Sequence, residues 1–115
     1  MARTPHEVFA HHAGALAAED VDELVADYAD DAVLITAAAV WRGKEEIRDW
    51  CTSALDALRG AEWDVPTQVF EGDVLFIEWT ALAEKNRVDD GVDTFVIRDG
   101  SIAVQTVRCT VRPRE

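Results

Sequence analysis

The hydrophobic period of this chain changes at Gly60. Before it, apolar residues recur every three or four positions, the spacing of a helix with one buried face. After it they alternate, the spacing of a half-buried strand. Thr4-Pro5-His6-Glu7 reads as a capping box, with Thr4 as N-cap, Pro5 at the first helical position and Glu7 three residues after the cap. Val8, Phe9, His12, Ala13 and Leu16 make the inward stripe of that first helix. Asp20 caps a second helix, in which Val21, Leu24, Val25 and Tyr28 share a face and Asp30-Asp31 marks the end. Ala32 to Arg42 reads as a strand, or as a strand with an irregular tail. Gly43 opens a third helix with Ile47, Trp50, Cys51, Ala54, Leu55 and Leu58 on one side, and Gly60 stops it.

Beyond Gly60, the segments Glu62–Glu71, Val74–Glu84, Val92–Arg98 and Ser101–Arg112 are rich in β-branched and aromatic residues. Gly72-Asp73 and Asp99-Gly100 carry hairpin-turn chemistry, and Lys85–Gly91 reads as a longer polar loop. The order is therefore ααβαββββ. Helices gathered in one half and a mostly antiparallel sheet in the other indicate an α+β fold. No repeat or linker divides the 115 residues, which fit one domain spanning 1–115.

Eleven basic and twenty-three acidic side chains give a net charge of −12, which disfavours nucleic acid and anionic membrane surfaces as partners. The longest apolar tract, Ala32 to Trp41, is half of what a membrane span needs. Cys51 and Cys109 are isolated, and the first residues lack the apolar stretch of a secretory signal, so a cytoplasmic location is expected. No metal site is expected. His11 and His12 are neighbours that diverge by about a quarter turn on a helix, and HxxxH spacing is absent. The seven carboxylates between Glu19 and Asp31 read as a solvated helix face. Gly-rich phosphate loops and a G-x-S-x-G elbow are missing too.

Four phrases add to this order: Ala17-Ala18-Glu19-Asp20-Val21-Asp22-Glu23-Leu24, Tyr28-Ala29-Asp30-Asp31-Ala32-Val33, Gly43-Lys44-Glu45-Glu46-Ile47 and Thr94-Phe95-Val96-Ile97-Arg98-Asp99-Gly100-Ser101-Ile102. With them the chain resembles the nuclear transport factor 2-like superfamily, in its SnoaL-like and ketosteroid-isomerase-like branches. The resemblance implies a strongly curved sheet wrapped around three helices as a cone, with a pocket at the open end. Such a fold hosts isomerases, cyclases, dehydratases, epoxide hydrolases and plain binding modules, so it does not assign an activity.

Residue by residue, the resemblance puts His12 where the isomerases have a tyrosine oxyanion donor, Thr36 where they have the general-base aspartate, and Asp93 where they have a second, protonated aspartate. A threonine hydroxyl is too weak to serve as that base. SnoaL-type polyketide cyclases are the closer chemical match, because an aspartate on a late strand resembles their acid/base and they use neither metal nor cofactor. Two readings follow. One is a cofactor-independent enzyme of polyketide-cyclase or isomerase type, with Asp93 as acid/base and His12 polarising the substrate oxygen. The other is a non-catalytic ligand-binding or dimerisation module, for which Thr36 speaks.

Tyr28, Thr36, Trp50 and Phe95 are the candidate pocket-lining residues, suited to a small apolar or aromatic ligand. Glu78 and Trp79 alternate, so one of them points inward. The outer face of the sheet carries enough apolar residues to need cover, and a homodimer through that face is expected.

Overall fold

The computed structural model describes residues 2–114. Helix α1 (Pro5–Ala17) starts at the expected capping box. Thr4 Oγ1 accepts from the Glu7 amide at 3.1 Å, and Glu7 Oε1 accepts from the Thr4 amide at 2.8 Å. Val8, His12 and Ala15 are its buried residues, and Ala13 of the expected stripe, though exposed, lines the space between helix and sheet. Helix α2 (Val21–Ala26) is capped by Asp20, and α3 (Gly43–Ala57) buries Ile47, Cys51 and Leu55 at four-residue intervals.

The strands are β1 (Tyr28–Ile35), β2 (Val40–Arg42), β3 (Glu62–Glu71), β4 (Val74–Leu82), β5 (Asn86–Arg98), β6 (Ser101–Arg108) and β7 (Arg112–Pro113). They form one sheet in the order β2-β1-β6-β5-β4-β3, with β7 paired to β5. The β1–β6 pair is parallel and the others are antiparallel. Register shifts interrupt the β3–β4, β4–β5, β5–β6 and β1–β6 ladders. Such irregularities increase local twist and bend the strands. The result is a strongly curved, unclosed mixed sheet with the three helices against its concave face. The fully buried core between them includes Val8, Leu34, Ile47, Leu75 and Val88.

Three boundaries differ from the sequence reading. The second helix ends at Ala26 rather than at Asp30, because the Asp27 carbonyl accepts from the Ile102 amide at 2.7 Å and draws the chain into the sheet. Tyr28 therefore opens a strand. The expected polar loop at Lys85–Gly91 is mostly strand: Asn86 and Arg87 pair with β7, while Arg87, Val88 and Gly91 pair with β4. Pairing on both sides satisfies the backbone of a segment whose side chains alone look loop-like. The segment Ala32–Arg42 is two strands joined by a turn in which the Thr36 amide donates to the Ala39 carbonyl at 3.0 Å. The tight turns at Gly72 (φ 58°) and at Asp99-Gly100 (φ 53° and 78°) adopt the left-handed backbone their residues favour. Among the described residues, no helix is long and apolar enough to cross a membrane.

Candidate functional site

Between the helices and the concave face lies a cavity of about 340 Å³. Phe9 and Leu16 from α1, Trp50 and Leu55 from α3, and Trp63 and Ile77 from the sheet supply much of its apolar wall. His12, Tyr28, Asp93 and Gln105 add polar groups, and among the described residues no lysine or arginine lines it. A mostly apolar wall with a few placed polar groups is the usual make-up of a small-molecule site.

Asp93 reaches the cavity through strand parity. Asp93, Phe95 and Ile97 alternate inward along β5, and Asp93 is 6% exposed. Its Oδ1 accepts from Trp79 Nε1 at 2.9 Å and its Oδ2 accepts from Gln105 Nε2 at 2.9 Å. The Tyr28 hydroxyl donates to Gln105 Oε1, which orients the amide so that its NH2 faces the carboxylate. Burial pushes the Asp93 pKa up to about 6, against the two hydrogen bonds that favour the charged form. Burial also drives the Tyr28 pKa well above its ordinary value, so the phenol remains a donor. Trp79 owes its position to its cross-strand partner Gly91, since a Cβ there would lie 2.2 Å from the indole.

His12 stands on the opposite wall. Its ring packs edge-on to Tyr28 and Phe95, at centroid separations of 5.4 and 6.0 Å. Nδ1 is 3.0 Å from Oδ2 of Asp27, which is fully buried. Asp27 also accepts from Arg3 Nη1 at 3.0 Å and meets His11 Nδ1 at 2.8 Å. Burial raises the Asp27 pKa, but the hydrogen bonds from His12, His11 and Arg3 outweigh it and hold the carboxyl below its ordinary value. An ionised carboxylate can only accept, so the His12 proton sits on Nδ1 and Nε2 is the ring nitrogen left free.

Five of the six residues expected at the site, His12, Tyr28, Trp50, Asp93 and Phe95, line this one cavity. Thr36 does not. It lies in the turn between β1 and β2, where its Oγ1 accepts from the Ala38 amide at 3.2 Å, because β1 starts earlier than expected and has run past the cavity by then. Trp79 takes the inward position and Glu78 the outer one, where it accepts from Thr67 Oγ1 at 2.7 Å. Two polar residues of the site escaped the sequence reading. Gln105 follows from the inward parity of Val107 on β6. Asp27 belongs to the acidic run that reads as a solvated helix face, although it falls three residues after Leu24, on the apolar stripe of α2. His11 and His12, expected to diverge, both turn Nδ1 to this one carboxylate.

A curved, open sheet wrapped around three helices, with a cavity between the layers, makes this a cone of the nuclear transport factor 2-like superfamily. Within it, the SnoaL-like domain family matches residues 8–105, and the chain belongs to that family. Among solved structures, a candidate polyketide cyclase from Sinorhizobium meliloti is similar, with a TM-score of 0.78 at 21% identity over 89% of this chain and 94% of its own. The LEH-like epoxide hydrolase of M. tuberculosis follows the same fold, with a TM-score of 0.74 at 20% identity over 92% and 82%. A candidate ketosteroid isomerase from Kribbella flavida gives 0.76 at 14% identity over 92% and 77%. At such identities the likeness is one of fold. No curated protein matches the chain significantly.

Proposed function

We propose that the cavity binds a small, apolar, flat ligand bearing a carbonyl, and that Asp93 and His12 move protons on it in a cofactor-independent reaction of polyketide-cyclase or isomerase type. The observation that carries this reading is a buried carboxyl with a pKa of about 6 inside an apolar cavity that His12 also lines. At neutral pH such a group is mostly ionised yet close enough to titration to take a proton from a carbon beside a carbonyl and return it. The Trp79 and Gln105 donors fix the carboxylate plane and leave each oxygen a further lone pair for the substrate. With its proton on Nδ1 facing Asp27, the His12 ring offers Nε2 as an acceptor. It polarises an oxygen only after taking a proton there.

Native mass spectrometry of the purified chain identifies a co-purifying ligand. With that compound or its precursor as substrate, Asp93→Asn is expected to lower turnover by about a hundredfold or more while retaining binding. Unchanged turnover removes Asp93 from the acid/base role. The position of Thr36 in a turn favours a second reading, a binding module without catalysis, because the residue aligned with the isomerase base contributes no group to the cavity. Recovery of the same compound unaltered after long incubation supports it.

The outer face supports a homodimer. Val69, Phe76, Thr94, Thr106, Ile35 and Val40 stand opposite one another in a single row across six strands. Val69, Phe76, Ile35 and Val40 are 54%, 37%, 39% and 43% exposed. A second copy placed face to face covers this row with its own equivalent. Phe76→Glu is expected to turn a dimer into a monomer in sedimentation equilibrium, and a wild-type chain that sediments as a monomer refutes the assembly. The unpaired Cys51 and Cys109 suit the cytoplasm as the proposed compartment.

A further inference from the structure

Asp27 is shared by three donors from two places in the chain. Arg3 reaches it from the N-terminal segment, and His11 and His12 reach it from adjacent positions of α1. The Arg3 guanidinium also donates through Nη2 to the Gly100 carbonyl at 2.9 Å. His11 is different because it is partly exposed and bonded on both sides, with Nδ1 2.8 Å from Asp27 and Nε2 2.8 Å from Glu23. Two carboxylates accept only, so both nitrogens are satisfied together only when His11 is an imidazolium. The hydrogen bonds to Asp27 and then Glu23 raise its pKa accordingly.

We infer that His11, acting through the carboxylate it shares with His12, sets the proton affinity of His12 and so makes an exposed residue the tuner of a cavity base. The inference deepens the acid–base reading of the cavity and draws its functional meaning from it. A proton on His12 would place a second imidazolium on a carboxylate already engaged by Arg3 and a charged His11. The two histidines therefore compete for one anion, and only His11 has a second, Glu23, on its other nitrogen. The other titratable groups that line the same cavity as His12 are Tyr28 of β1, Cys51 of α3, Asp93 of β5 and Cys109 just after β6. A charge on His11 therefore favours the form of His12 that keeps its Nε2 lone pair for a bound ligand. Asp27 and His11 are thus positioning residues that act through His12 and do not themselves touch the ligand.

The test uses the ligand-free full chain, with long-range proton–nitrogen spectra of the imidazoles followed from about pH 5 to about pH 9. His6 is the internal control, since it stacks on Phe70 with centroids 3.7 Å apart and makes no bond to Asp27. His11→Asn keeps an amide donor where Nδ1 stood and removes the charge. The titration midpoint of His12 is expected to rise by about one pH unit, a tenfold gain in proton affinity, with His6 unmoved. Glu23→Gln, at an exposed site with little folding risk, is expected to lower the midpoint of His11 and to raise that of His12 by a smaller amount. A His12 midpoint unchanged in both variants overturns the inference, as does an Nε2-protonated His12 in the wild type at high pH. Neither outcome depends on turnover, so failure of the proposed catalysis and failure of this coupling are read separately.

Discussion

Replacing Asp93 by asparagine tests the state of the buried carboxyl without a substrate. Burial raises its pKa from 3.8 in the open chain to about 6 in the fold, a change of roughly two units. At about 1.4 kcal/mol per unit, ionising Asp93 costs the folded state about 3 kcal/mol. The sign follows from proton counts. Below pH 3.8 both states hold the proton and nothing is lost. As pH rises towards 6 the unfolded chain releases its proton first, so stability falls through that window and the full loss is present above it. Asparagine has the same shape and no charge. Its carbonyl can accept from Trp79 Nε1, and its NH2 requires the Gln105 amide to turn over, so that the Gln105 NH2 meets the Tyr28 hydroxyl. That rearrangement costs about 1 kcal/mol at every pH. The variant is therefore expected to be about 2 kcal/mol more stable than the wild type at pH 8 and about 1 kcal/mol less stable at pH 3.5. Urea unfolding followed by tryptophan fluorescence, run on both chains across that range, reads the difference directly. Every other carboxylate cancels in the comparison. If the two stability curves stay parallel, Asp93 does not titrate in the fold above its ordinary value, and the site loses the property that makes it an acid/base candidate.

The remaining predictions concern the groups that support the site. Gly91→Ala pushes a methyl into the Trp79 ring and is expected to cost about 1–3 kcal/mol, to redden the tryptophan emission and to weaken ligand binding. Circular dichroism should show the sheet intact, and an unchanged emission spectrum would mean that Trp79 is not seated on Gly91. Asp27→Asn leaves Arg3 and the two histidines without their shared anion and is expected to cost about 3 kcal/mol at neutral pH. Because the Asp27 pKa is depressed in the fold, that contribution is present above pH 3.8 and fades as pH falls through the lower folded value. The gap between variant and wild type in denaturant titrations should narrow in acid, and a gap that widens there contradicts an ionised Asp27.

Much of the frame was legible because it is local. The capping box at Thr4, the cap at Asp20 and the left-handed turns at Gly72 and Asp99-Gly100 depend on residues within four positions of each other. The inward parity of Asp93 was equally readable, since Phe95 and Ile97 two and four residues on share its face. The end of α2 and the strand character of Asn86–Gly91 were not. Each is decided by a partner far along the chain, Ile102 for Asp27 and the pair Leu82 and Arg112 for Arg87.

The sequence by itself therefore determined the kind of layers, their order and one inward carboxylate, through periodicity and short-range backbone chemistry. Tertiary structure decided what that carboxylate meets and which of seven neighbouring acids is buried. Asp27 has the same side chain as Asp22, Asp30 and Asp31. Its distinction is that the sheet carries it under α1, where Arg3, His11 and His12 converge on its two oxygens. Charge and composition along the chain do not encode that convergence, because a buried ion is stabilised by what surrounds it in space rather than by its neighbours in sequence.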